Sequence, residues 1–185
     1  MTSTLGFTGD DRVDITQYAA MVTLGHVRPS RWSARLALGA VLDGSLEDGA
    51  RTHEIGPGVV GSISAAKMWT ARAWFVTGSL GFSASRTTTG EVGVNAPRET
   101  LAAYDARIGA IAGRTFGVAS PYLLARGFGG PVLWRRDGED VTGSDRHHYQ
   151  LGAGASIAAG RLSLTIDVSV LGERSAALGA ALELR

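Results

Sequence analysis

Over residues 161–171 apolar and polar positions alternate without interruption. Leu162, Leu164, Ile166, Val168 and Val170 share one parity; Ser163, Thr165, Asp167 and Ser169 share the other. A helix would spread both sets around its circumference, whereas an extended strand sorts them onto two faces. The pattern recurs over 32–42, where Trp32, Ala34, Leu36, Leu38, Ala40 and Leu42 oppose Ser33, Arg35, Ala37, Gly39 and Val41. It recurs again over 149–157, where Tyr149, Leu151, Ala153, Ala155 and Ile157 oppose Gln150, Gly152, Gly154 and Ser156. Fainter versions run through Tyr18, Ala20, Val22 and Leu24, through Tyr104, Ala106, Ile108, Ala110 and Ala112, and through Leu178, Ala180, Leu182 and Leu184. Over 69–82 the apolar set Trp74, Val76, Leu80 and Phe82 shares its face with Arg72, which calls for a snorkelling side chain or a bulge.

The connections alternate in length. Segments 27–31, 65–67, 113–114 and 159–160 read as tight turns. Segments 43–51, 86–99 and 135–146 read as longer loops rich in Gly, Asp, Glu and Thr. Nine strands follow Val13, and a short first strand near residues 4–8 makes ten; eight remain if the terminal segments stand outside the wall. An even count puts both termini at the short-turn end. The expected fold is therefore all-β: one domain over residues 1–185, folded as a closed antiparallel up-and-down barrel of about ten strands.

The polar face decides what the barrel meets. In a water-soluble barrel the face away from the core fills with long charged side chains. Here it carries mostly Gly, Ala, Ser and Thr, and the 26 glycines among 185 residues are about twice the usual share. Small residues suit a narrow lumen and branched apolar ones suit lipid, so the wall reads as transmembrane. Trp32, Trp69 and Tyr149 near strand starts, and Trp134 near a strand end, suit the aromatic girdles of the two interfaces. No segment has the roughly 18 apolar residues of a membrane helix; the best, 71–84, is broken by Arg72, Thr77, Ser79 and Ser83.

With this strand rhythm, and with Ser120-Pro121-Tyr122-Leu123-Leu124-Ala125-Arg126-Gly127 as its most barrel-like stretch, the chain resembles the small outer-membrane β-barrels of Gram-negative bacteria, the broad class of OmpA, OmpX and OmpW. The likeness extends over essentially the whole chain. It implies a place in the bacterial outer membrane, contact with lipid and lipopolysaccharide, assembly by the barrel-assembly machinery, and an extracellular ligand at the long loops. Such proteins usually finish with an aromatic residue, where this chain reads Leu182-Glu183-Leu184-Arg185. The opening Met-Thr-Ser-Thr-Leu-Gly has neither a basic nor an apolar leader region, and reads as a chain whose signal peptide has been removed.

Charge and chemistry change the picture little. Eighteen basic and seventeen acidic residues leave a formal charge of +1, so nucleic acid is not an expected partner, and cysteine is absent. By register Arg35, Asp105, Arg107, Tyr122, Arg126, Asp167 and Glu183 point inward, where charges in a narrow lumen must pair or be hydrated; a plugging network or a selectivity constriction follows. Asp145 and His147, two apart at a strand start and followed by His148, are weak catalytic candidates. Ten-stranded outer-membrane proteases use an Asp-His pair near the rim, but they also need a second aspartate pair, and no Asp-x-Asp motif exists here. His26 and His53 are isolated, so no metal and no cofactor is expected, and the glycines at 127–130 read as a bent or bulged strand tip. The expected function is a non-enzymatic structural or interaction barrel with a side-chain-filled lumen. Its rivals are a passive channel or transporter for small or apolar solutes, a rim-located hydrolase acting on protein or lipid, and a soluble lipocalin-like barrel.

Overall fold

The computed structural model describes residues 1–7, 12–49, 51–93, 97–136 and 138–184. It is all-β, with 85% of the chain in strands and no helix. The strands are β1 (Thr2–Phe7), β2 (Arg12–Val27), β3 (Trp32–Asp48), β4 (Arg51–Ile55), β5 (Gly58–Ala71), β6 (Trp74–Glu91), β7 (Glu99–Arg114), β8 (Ala119–Gly129), β9 (Pro131–Arg136), β10 (Glu139–Asp145), β11 (Tyr149–Ala159), β12 (Leu162–Gly172) and β13 (Ser175–Leu182). All thirteen belong to one antiparallel sheet.

Thirteen strands replace the expected ten because two of the three anticipated loops are mostly ladder. Residues 43–48 continue β3 and pair with β2 and β4, and residues 135–145 are largely the β9–β10 hairpin. In the third, 86–91 continue β6; residues 94–96, like Thr8, lie outside the described residues. Their charges misled because they alternate too, with polar side chains facing water. Segment 65–67 is the middle of β5 rather than a turn; the chain reverses at Arg72 and Ala73, where Arg72 takes a φ of 55°. That resolves the Arg72 conflict, since the residue is a turn and not part of a wall. Residues 113–114 likewise finish β7, and the reversal lies beyond them.

Pairing divides the molecule into two storeys. In the upper storey β1, β2, β3, β4, β6, β7, β9 and β10 pair in succession and β10 returns to β1, so eight strands close a ring. In the lower storey β2, β3, β5, β6, β7, β8, β11, β12 and β13 form a continuous nine-strand wall. Among the described residues the outer edges of lower β2 and of β13 have no partner, so closure is complete only above.

The two storeys have opposite polarity. Below, the apolar residues face outward: Leu24, Leu38, Ile63, Phe82, Ile108, Leu123, Ile166 and Leu178 are all exposed, Leu178 at 85%. Above, the apolar parity turns inward: Leu5, Phe7, Val13, Ile15, Leu46, Ile55, Leu101, Val132 and Trp134 make the buried core. Asp14, Glu47, Glu54 and Arg135 meet solvent instead. Strand β2 crosses between the storeys without a break, its inward positions running Val13, Ile15, Gln17, Ala19 and Met21. On β3 a bulge opposite Tyr18 and Ala19 helps the switch, because Leu42 is skipped in the pairing.

Candidate functional site

Where the storeys meet, the apolar core rests on a cluster of charge in which Glu173 is buried and the other charged groups are half-buried. A cavity of about 160 Å³ is lined above by Leu5, Ile15 and Val132 and below by Asp105, Arg107 and Glu173. Each polar group is delivered by strand parity. Asp105 and Arg107 occupy successive inward positions of β7, Tyr122 and Arg126 the inward positions on either side of buried Leu124 on β8, Gln150 one on β11 and Asp167 one on β12. Glu173 follows Gly172, whose φ of 74° carries the chain over β11. A Cβ at Gly172 would lie 1.9 Å from the Tyr149 carbonyl oxygen, so only glycine fits there.

The groups form one chain of contacts. Arg107 Nε donates to Asp105 Oδ2 at 3.1 Å, its Nη2 lies 3.9 Å from Glu173 Oε2, and its guanidinium stacks over the Phe128 ring at 4.8 Å. Gln150 Nε2 donates to Glu173 Oε1 at 3.2 Å and to Ser175 Oγ at 2.7 Å. Arg126 Nη1 donates to Gln150 Oε1 at 3.1 Å, and its Nη2 lies 3.9 Å from Asp167 Oδ2; Tyr122 donates its hydroxyl proton to Asp167 Oδ1 at 2.6 Å. Ser3 donates to Asp145, which closes the cluster against β1.

Four carboxyl groups, Asp105, Asp145, Asp167 and Glu173, thus surround two guanidiniums, Arg107 and Arg126. Burial pushes the Glu173 carboxyl above its ordinary value, with Asp145 and Asp105 adding to the rise and Arg107 opposing it. Burial also raises Asp145, against the pull of the Ser3 hydrogen bond. A carboxyl raised in the folded state favours its protonated form. Its contribution to stability is therefore full below the unfolded-chain value, and it is lost as pH rises through the raised one. Glu173→Gln, which stays neutral, is expected to gain melting temperature over the parent near pH 8 and to lose that advantage near about pH 4. Parallel melting curves at both pH values check this; an equal difference at both would contradict it.

The structure brings together Asp105, Arg107, Tyr122, Arg126 and Asp167 of the expected inward charges. Arg35 lies on the far wall, between Gly25 and Ser64, where neither neighbour can answer its charge. Glu183 falls past the end of β13, where its backbone N–H still donates to the Arg161 carbonyl at 2.9 Å, but its side chain is exposed and it is not part of the network. Asp145 and His147 separate: Asp145 turns in to Ser3, whereas His147 is exposed and edge-on to Tyr149 at 6.3 Å. No catalytic pair forms between them. Gln150, Glu173, Ser3 and Ser175 join the cluster without being among the residues the sequence singles out. Gln150 stands among glycines on the small-residue face, and that was its only signal.

Among the aromatic residues Trp32, Trp69 and Tyr149 are exposed on the outer face, and Trp74 joins them. Trp134 is not a girdle residue. It is 1% exposed in the upper core, donating from Nε1 to Thr89 Oγ1 at 3.0 Å, edge-on to His53 and tilted against Phe7, because β9 belongs to the storey whose apolar parity points in. Among the described residues no cluster of His, Cys, Asp or Glu has the makings of a metal site. Comparison with protein-family models, with curated proteins and with solved structures finds no match for the chain.

Proposed function

We propose that this protein is an outer-membrane β-barrel of a Gram-negative bacterium, acting not as an enzyme but as a structural or interaction module. It stands in the bilayer on its lower storey and presents the upper storey as a rigid, water-facing cap. The observation that carries the reading is the exposed apolar band and what bounds it. At the short-turn end lie Trp32, Trp69 and Trp74, with Lys67 over the Trp32 ring at 5.6 Å and Arg114 over Trp74 at 5.5 Å. At the other end lie Tyr18, Tyr104 and Tyr149. Ala84, the partner of Tyr104, is ten residues along β6 from Trp74. At about 3.4 Å per residue and a tilt of about 40–45° this spans roughly 25 Å, the height of a lipid-facing band. Amphipathic rings at both margins are what an interface selects.

No helix of the described residues is long and apolar enough to cross a membrane, so any crossing falls to the strands. The lumen of such a barrel would be occupied twice over, by the Arg107–Glu173–Arg126 network and by the apolar core above it. That favours a plugged display barrel over an open channel, with the cap surface offered to an extracellular ligand and lipid and lipopolysaccharide around the belt.

Two readouts test the proposal. The purified chain is expected to give β-type circular dichroism and heat-modifiable gel migration only in detergent or lipid; a monodisperse, folded protein in plain buffer would refute it. In planar bilayers the parent is expected to be silent, and Arg107→Leu to stay silent, because the apolar core above still fills the lumen, while losing about 2 kcal/mol of stability, the scale of a charged hydrogen bond. Steady conductance by the parent would favour the channel reading.

A further inference from the structure

The lower wall has two bare edges that face the same gap. Among the described residues β2 pairs with β1 only as far as Gln17, and β13 pairs only with β12. Met1 and Gln17 exchange both backbone hydrogen bonds, the Met1 amino group donating to the Gln17 carbonyl at 3.0 Å and the Gln17 N–H to the Met1 carbonyl at 2.9 Å. On its other side Thr2 exchanges both bonds with Arg174, at 2.8 and 3.0 Å. At this point one strand is therefore paired to both edges, antiparallel to each.

Below it the edges continue, and none of the described residues pairs with either. Antiparallel bonding alternates from residue to residue, so the phase set by Gln17 aims the N–H and C=O groups of Ala19, Met21, Thr23 and Gly25 into the gap. The phase set by Arg174 does the same for Ala176, Leu178, Ala180 and Leu182. In water such edges invite aggregation; in acyl chains no solvent answers an unpaired backbone group, and each one is strongly penalised. This deepens the membrane proposal and rests on it, because lipid is what makes the bare edges untenable.

We propose that the gap is the seat of one further antiparallel strand of about eight residues, continuing the β1 ladder downward and making the lower wall a closed ring of ten. Its register follows from the two pairs already present. Positions facing the lumen oppose Ala19, Met21, Ala177 and Gly179 and call for small or polar residues. Positions facing outward sit between Ala20, Val22 and Leu24 on one side and Ala176, Leu178 and Ala180 on the other, and call for apolar ones.

The test fuses an alternating octapeptide, apolar at every second residue with Ser and Gly between, directly before Met1; a scrambled octapeptide serves as control. Amide exchange is followed in detergent. The alternating fusion is expected to protect Met21, Thr23, Gly25, Leu178 and Ala180 together and to sharpen heat-modifiable migration, while the scrambled one protects none of them. Met21→Pro and Leu178→Pro each remove a gap-facing N–H without touching the β3 or β12 ladders, and each should abolish protection on both edges. Protection of one edge alone overturns the proposal. So does protection without any added strand, whether from β2 zipping to β13 or from a second copy; both of these outcomes leave the membrane reading standing. Folding in plain buffer removes the membrane reading itself.

Discussion

Ile166→Arg is expected to lower stability in lipid vesicles by about 2–4 kcal/mol, the cost of a cation near the middle of a lipid-facing wall. Ile166 stands between Ala155 and Leu178 on the outer face of β12, about midway along the band and half exposed, with no acidic neighbour within the pairing. The same change at Ser144, on the outer face of β10 in the cap, is expected to stay within about 0.5 kcal/mol, because that face meets water. Urea unfolding in vesicles measures both. The contrast matters more than either value: a soluble barrel turned inside out would tolerate the first change and suffer at Leu5 or Val13 instead. An Ile166→Arg protein as stable as the parent would end the lipid-facing assignment of this wall.

Trp134→Ala is expected to cost about 3–5 kcal/mol, the range for deleting a large buried aromatic side chain. Three effects combine there. The indole fills the cap core beside Phe7 and His53, its Nε1–H is satisfied by Thr89, and the Arg136 guanidinium lies 5.5 Å from its ring while also pairing with Asp48 at 2.5 Å. Trp134→Phe keeps most of the ring and loses the hydrogen bond, so it is expected to cost about 1–2 kcal/mol. Near-ultraviolet circular dichroism and amide exchange locate the damage. Val13, Leu46 and Leu101 should lose protection first, while the lower wall, which shares none of these contacts, should persist. A loss spread evenly over both storeys would mean that they unfold as one unit.

Much of the lower storey was legible because it repeats one rule. Residues 162–170, 32–42 and 149–157 keep a single parity over many positions, and the structure places their apolar sides outward and their small sides inward, as the alternation required. The inward charges Asp105, Arg107, Arg126 and Asp167 were found by the same parity, without any motif. The upper storey was hidden by its own reversal. In β2 the apolar parity passes from Val13 and Ile15 to Tyr18, Ala20 and Val22, a slip of one position that reads in isolation as a weak start to a strand. Only the partners across the ladder, β1 on one side and β3 on the other, reveal that both halves are wall. Segment 43–51 reads as a loop because charge and glycine are ordinary turn signals, and Leu46 is the one inward mark of the strand it continues. Trp134 was misplaced for a related reason, since an aromatic residue near a strand end fits an interface or a core equally well until the parity of its neighbours is known. Glu173 sits in a tight turn, and no periodicity reaches it.

The reversal of polarity along continuous strands has a mechanical consequence. If the molecule sank deeper, Asp14, Glu47 and Glu54 on the outside of the ring would enter hydrocarbon; if it rose, Leu36, Leu80 and Leu123 would be drawn into water. Under the membrane proposal both displacements are opposed by independent free-energy slopes, so the wall itself would set its depth of immersion.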